Sequence, residues 1–149
     1  MKKKSYNKYN NKKTEKYGQK WDSDMELDFY EGQCLPNLES GKWIKVETQK
    51  TFIIQDGFTH KDKKVLPIKY IADFVITTNE GEEIIVDVKG MIPTSDFKIK
   101  WKMMKFRYPQ YTYQCLKGSG RDKRRGIMHY QKWEEIIDKL KKKSKKKSK

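Results

Sequence analysis

A chain of 149 residues with a formal net charge of +15 suits one domain with a modest core, and no apolar stretch in it is long enough to cross a bilayer. Two cysteines, Cys34 and Cys115, and two histidines, His60 and His129, cannot supply the spaced ligands of a structural zinc site, and they argue against a histidine-centred nuclease. The first residues, Met1-Lys2-Lys3-Lys4-Ser5-Tyr6, lack the apolar core of a secretory signal, so a cytoplasmic protein with reduced thiols is expected.

Residues 1–16 carry seven lysines against Glu15 and read as a flexible basic arm; residues 17–138 read as the folding unit and residues 139–149 as a lysine-rich tail. Ser23-Asp24-Met25-Glu26 has the form of a capping box and predicts a helix to about Glu31, disrupted by Gly32 and Pro36. Trp43 to Ile54 predicts a long strand, with Ile44, Val46, Phe52 and Ile54 in step at period two. Residues 56–64 read as a turn. Tyr70 to Ile76 is a second strand, and Asn79-Glu80-Gly81 is the tip of a hairpin leading into Ile84-Ile85-Val86-Asp87-Val88-Lys89.

A linker over Gly90 to Ser95 leads into a helix from about Asp96 to Arg107, bounded by Pro109. Phe97, Trp101, Met104 and Tyr108 form one apolar stripe on it, and Ile99, Met103 and Phe106 form another almost opposite. Two stripes imply a helix covered on both sides, by the sheet and either the terminal helix or the second subunit of a homodimer. Tyr111 to Leu116 is a further strand, and Gly118 to Gly126 is a basic, glycine-punctuated loop. Tyr130, Trp133, Ile136, Ile137 and Leu140 recur at helical spacing. The expected order is αβββαβ plus a C-terminal helix, an α/β (α+β) fold with a central mixed β-sheet flanked by helices.

The tails hold most of the positive charge, but the remainder is polarised. Residues 17–87 have eight basic and fourteen acidic side chains, whereas residues 88–132 have twelve basic and two acidic. A basic segment that begins directly after Asp87 favours a polyanion. The lysine tails serve either solubility or nucleic-acid binding without sequence preference. An acidic membrane surface would attract the same charge, but no lipidation signal or apolar anchor accompanies it, so DNA and not a membrane is the expected partner.

The residues with most chemistry are the acids inside apolar runs. Asp87 and Lys89 share one face of a strand because side chains alternate. Asp73 interrupts another apolar run, where an ionised group is costly unless paired. The intervening hairpin should place Asp73 and Asp87 close together, and a divalent cation would relieve their repulsion.

Asp73 followed by Asp87-Val88-Lys89, after a helix bearing Glu26, resembles the PD-(D/E)xK nuclease superfamily over the whole folding unit, which implies a restriction-endonuclease-like core. More closely, Trp21-Asp22-Ser23-x-x-Glu26, Tyr70-Ile71-Ala72-Asp73-Phe74 and Asp87-Val88-Lys89-Gly90-Met91 resemble a phage-encoded family of endonucleases, similar to junction resolvases, that is catalogued only as a domain of unknown function. Gln49 also suits that pattern. Two departures stand out: Ala72 replaces the superfamily's proline, and Gly32 with Pro36 interrupts the helix after Glu26.

The resemblance implies a metal-dependent DNA endonuclease acting on branched, junction or duplex DNA in replication, recombination or packaging, within the host cytoplasm if phage-encoded. Asp73, Asp87 and Glu26, with the Val88 carbonyl, would hold Mg²⁺ or Mn²⁺, hard ions that prefer oxygen. Lys89 would act on the attacking water or the transition-state charge, and no organic cofactor is expected. Lys98, Lys100, Lys102 and Lys105, and the loop residues Arg121, Lys123, Arg124 and Arg125, would contact DNA phosphates. Plainer readings stand beside these. Glu26 closes a capping box, Asp87 and Lys89 form an ordinary same-face pair, the helix lysines are a solvated face, and the chain is a non-catalytic nucleic-acid-binding module on the same fold.

Overall fold

The computed structural model describes residues 14–91, 93–121 and 128–132. A short hairpin of β1 (Thr14–Lys16) and β2 (Gln19–Trp21) comes first. Then follow α1 (Asp24–Phe29), a π-helical turn (Tyr30–Cys34) and α2 (Leu35–Glu39). Next are β3 (Trp43–Gln55), β4 (Phe58–His60), β5 (Lys63–Val65), β6 (Ile68–Thr78), β7 (Glu83–Lys89), α3 (Ser95–Arg107), β8 (Thr112–Arg121) and β9 (Met128–Lys132). The fold is mixed α/β around one mixed sheet, in the order β3-β6-β7-β8-β9. β7 and β8 run parallel and the other neighbours antiparallel.

The expected αβββαβ order is present, with additions. The supposed turn at 56–64 is the β4–β5 hairpin. β1 begins at Thr14, inside the segment assigned to the basic arm. β8 runs on through Gly118 and Gly120, so the start of the expected basic loop is strand, paired to β9. Tyr130 lies in β9, not in a helix, because its strand finds hydrogen-bonding partners in Leu116 to Arg121. Trp133, Ile136, Ile137 and Leu140 lie outside the described residues, as do Lys123, Arg124 and Arg125.

Gly32 and Pro36 do not stop the first helix. A proline ring presses on the carbonyl four residues back in a regular helix. Here the preceding turn widens, with the Leu35 N–H donating to the Tyr30 carbonyl five residues back, and helix resumes as α2. Ser23 caps α1, accepting the Glu26 N–H at 3.2 Å, and Thr94 caps α3, accepting the Phe97 N–H at 3.2 Å.

The sheet has a core on each face. α3 lays Trp101 and Met104 on Phe52, Ile54, Tyr70, Ala72, Val75 and Ile85. The first helix lays Phe29 and Cys34 on Phe74, Ile76, Ile84, Val86 and Val88. Thus Tyr70 and Ala72 face α3, whereas Phe74 and Ile76 face α1, although all four are two apart on one strand. The alternation slips by one at Asp73. On β3 it slips at Gln49, whose φ of 54° is left-handed; Val46 packs on the α1 side and Phe52 and Ile54 on the α3 side. The β3–β6 register is the same on both sides of this point, with Thr48 opposite Phe74 and Lys50 opposite Ala72. Gln49 therefore falls level with Asp73, and the two-strand ribbon turns over as a unit there.

Ile44 is 64% exposed, contrary to its expected place in the apolar row, because a register shift between Trp43 and Lys45 moves it out of phase. One stripe of α3 packs on the sheet as expected. In the other, Met103 is partly buried against the same core, whereas Ile99 is 58% and Phe106 90% exposed. Among the described residues, no helix is long and apolar enough to cross a membrane.

Candidate active site

Asn79-Glu80-Gly81 is the tip of the β6–β7 hairpin, closed by the Gly81 N–H on the Thr78 carbonyl at 3.0 Å, with Gly81 at φ 85°. From that turn the strands pair through Phe74 and Val86, and the next residues in register are Asp73 and Asp87. There the ladder ends. The Val88 N–H, which points toward β6, donates instead to Asp73 Oδ2 at 2.9 Å, so a carboxylate takes the place of a backbone acceptor. The Val88 carbonyl lies on the same edge of the extended strand and faces the same gap.

Asp87 is 2% exposed. Tyr70, whose hydroxyl is held above its ordinary pKa by burial and by the Asp87 charge, donates to Asp87 Oδ2 at 2.7 Å. Lys89 Nζ stands 2.8 Å from Asp87 Oδ1, and no hydrogen bond of good geometry reaches that buried oxygen. The ammonium also lies 4.3 Å from the centre of the Phe97 ring, which fixes it against the first turn of α3. Burial works to lower the Lys89 pKa, but the Asp87 charge outweighs it and the value is raised.

Glu26 approaches from α1 on the opposite side. It is 9% exposed and accepts a hydrogen bond from Gln49 Nε2 at 3.1 Å. Burial pushes its carboxyl up to about 7, with the Asp22 and Asp87 charges adding to the shift and Ser23 and Lys89 opposing it. Asp73 is held well above the usual carboxylate range, first by burial and then by the charges of Asp87 and Glu26, against the pull of the Val88 N–H and Lys89. The three acids thus feel one another across the gap where β6 leaves β7. Fully ionised, the three acids together with Lys89 carry −2.

Among the described residues, no three Asp, Glu, His or Cys side chains are gathered closely enough to form a ready metal cluster. Each carboxylate is turned to a protein partner: Asp73 to Val88, Asp87 to Tyr70 and Lys89, Glu26 to Gln49. The donor chemistry still suits a hard cation. All the side-chain donors are oxygens, and two of the three carboxyls, Glu26 and Asp73, have their pKa values raised first by burial and then by the charges of neighbouring acids, which a bound cation would offset.

The structure brings Glu26, Gln49, Asp73, Asp87, Val88 and Lys89 together. Lys98, Lys102 and Lys105 are exposed along α3, Lys100 is half-buried, and the Lys105 ammonium lies 5.9 Å from the Trp101 ring centre. Arg121 ends β8. Tyr70 and Asp22 join the site from outside the residues expected to form it, and Phe97, expected only in the apolar stripe of α3, also meets Lys89. Their signal in the sequence is proximity: Tyr70 lies three residues before Asp73, and Asp22 four before Glu26.

Residues 6–120 match the model of DUF1064, a family described as proteins of unknown function, and the chain belongs to that family. No curated protein matches it.

Proposed function

We propose that this protein is a metal-dependent DNA endonuclease with a restriction-endonuclease-like core, phage-encoded and acting on branched or duplex DNA in the host cytoplasm. The observation that carries the reading is the buried Asp87 and its strand-mate Lys89 at the point where two central strands separate, with Asp73 and Glu26 coupled to them. A plain nucleic-acid clamp has no use for three acids where a phosphate must sit.

Asp73, Asp87, Glu26 and the Val88 carbonyl would hold Mg²⁺ or Mn²⁺. Such an ion, when bound, neutralises the acids, polarises phosphate and makes water more acidic. Tyr70 keeps Asp87 oriented and Gln49 does the same for Glu26. As water attacks phosphorus and the bond to the leaving oxygen breaks, charge grows on the phosphate oxygens. The Lys89 ammonium, held by Asp87 and Phe97, is placed to stabilise it. The basic face of α3 supports binding to the phosphate backbone.

The test is incubation of wild type, Asp87→Ala and Lys89→Ala with labelled junction, flap and linear DNA in Mg²⁺, Mn²⁺ or EDTA. Cleavage by wild type alone, stopped by EDTA, is the expected result. Equal binding by all three proteins with no cleavage of any substrate would favour the clamp.

A further inference from the structure

We infer that the outer face of α3 binds single-stranded DNA, with Phe106 as a platform on which an unpaired base stacks and Lys98, Lys102 and Lys105 as the phosphate contacts beside it. This rests on the nuclease reading and narrows its substrate to DNA that carries an unpaired strand.

Phe106 is 90% exposed. A lone apolar side chain on a surface is ordinary, but this one stands in a row. Ile99 lies seven residues earlier on the same line of the helix, with the exposed Lys102 between them. Along one flank of the row run Lys98 and Lys105, both exposed. Along the other, an open groove of about 640 Å³ is lined by Ile54, Gln55, Lys102, Met103, Phe106 and Arg107. The groove is preformed. Arg107 donates to the Ile54 carbonyl at 2.7 Å and pairs with Asp56 at 3.2 Å, and the Tyr108 hydroxyl donates to the Ile53 carbonyl at 2.7 Å, so the end of β3 is tied to the end of α3.

Charge and shape select the occupant. α3 carries Lys98, Lys100, Lys102, Lys105 and Arg107 against Asp96 alone, so the partner is anionic, and it must also offer the exposed ring an apolar surface. A single strand does both, because its phosphates are charged and every base has a π-face. A duplex brings the charge but keeps its base faces stacked inside, out of reach of Phe106. A second copy docked face to face would set like charges against each other. An acidic peptide with an apolar side chain is the weaker match, because such anchors are buried in closed pockets and this groove is open.

The platform is separate from the candidate active site. Phe106 is nine residues from Phe97, the ring beside Lys89, which is ~14 Å along the helix and half a turn around it. It stands at the other end of α3, on the side turned from the sheet, and Lys98, Lys102 and Lys105 rise along the helix between the two levels. The unpaired strand is therefore held away from the bond to be cut, as the free strand of a flap or branch would be.

The test measures fluorescence anisotropy of a labelled oligothymidylate, an abasic oligomer of the same length and charge, and a blunt duplex, in Ca²⁺ without Mg²⁺ or Mn²⁺. Phe106→Ala should bind oligothymidylate ~5-fold or more weakly and the other two ligands within about 2-fold of wild type, and Phe106→Trp should restore the loss. Lys98→Ala/Lys102→Ala/Lys105→Ala should lose about 2 from the log–log salt slope on the single strand. The thermal midpoint of Phe106→Ala should be no lower than that of wild type, because alanine is the better helix former. The inference is overturned if wild type binds the abasic oligomer as tightly as oligothymidylate, or if Phe106→Ala keeps wild-type affinity for oligothymidylate. A lowered midpoint or a changed sedimentation coefficient in Phe106→Ala also overturns it, since the ring would then be covered by the chain itself or by a second copy. So does loss of binding to a labelled glutamate-rich peptide containing phenylalanine while oligothymidylate is bound as before. Cleavage is scored separately: Phe106-dependent strand binding by a protein that cuts nothing keeps the platform and removes the nuclease, and cutting without any Phe106 effect on strand binding does the reverse.

Discussion

The two ends of the β6–β7 hairpin are built on different terms. At the Asn79–Gly81 end the ladder is regular, the side chains are Phe74, Ile76, Ile84 and Val86, and both faces are covered. At the Asp73–Asp87 end the ladder stops, the ribbon turns over, and acids and a lysine replace the apolar pairs. Backbone groups that pair with one another at the first end are met by side chains at the second. Regularity supplies the stability at one end, and its interruption opens a gap where charge is concentrated at the other.

Substitution at the regular end should be the larger blow to stability. Phe74, fully buried against Trp21 and Phe29, should lose about 3–5 kcal/mol as Phe74→Ala in urea unfolding. At the open end the effect should fall on activity instead. Lys89→Ala should lower cleavage by about 10²–10³, roughly 3–4 kcal/mol in the barrier, with circular dichroism reporting an intact fold. Equal losses of stability from the two variants would erase the contrast.

The acids themselves should oppose folding when no cation is present. The Glu26 carboxyl titrates near 4.5 in the unfolded chain and at about 7 in the fold. Its penalty is therefore absent below 4.5, grows as pH rises between these values and is complete above 7. In EDTA, Glu26→Gln should match wild type at acid pH and exceed it by up to about 3 kcal/mol at alkaline pH, read from midpoints across a pH series. A gain that is the same at every pH would show that the charge is not its source. Tyr70→Phe should have the smallest effect, removing one bond to a buried carboxylate, about 1.5–3 kcal/mol in urea unfolding.

What was legible in the sequence is what local pattern determines. Asn79-Glu80-Gly81 marked the hairpin that sets Asp73 level with Asp87, and the linker over Gly90 to Ser95 marked the approach to α3, although the cap is Thr94 and Ser95 already lies in the helix. Less legible were features decided by distant partners. Gly32 and Pro36 read as a helix stop because the widened turn that carries helix past them has no compositional mark. Tyr130 fitted a helical row, but its strand is set by pairing with β8. The left-handed Gln49 was visible as a residue suited to the site, whereas its role in turning the ribbon over depends on the strand beside it. Tyr70 was an aromatic in a strand until Asp87 was found beneath its hydroxyl.

The central claim, that Asp73, Asp87 and Glu26 share one divalent ion, is tested most directly by titrating Mn²⁺ calorimetrically into wild type and Asp87→Asn without DNA. Saturable binding by wild type that Asp87→Asn abolishes, while circular dichroism reports an intact fold, is the predicted result. Undetectable binding by wild type, or equal binding by both proteins, would contradict it.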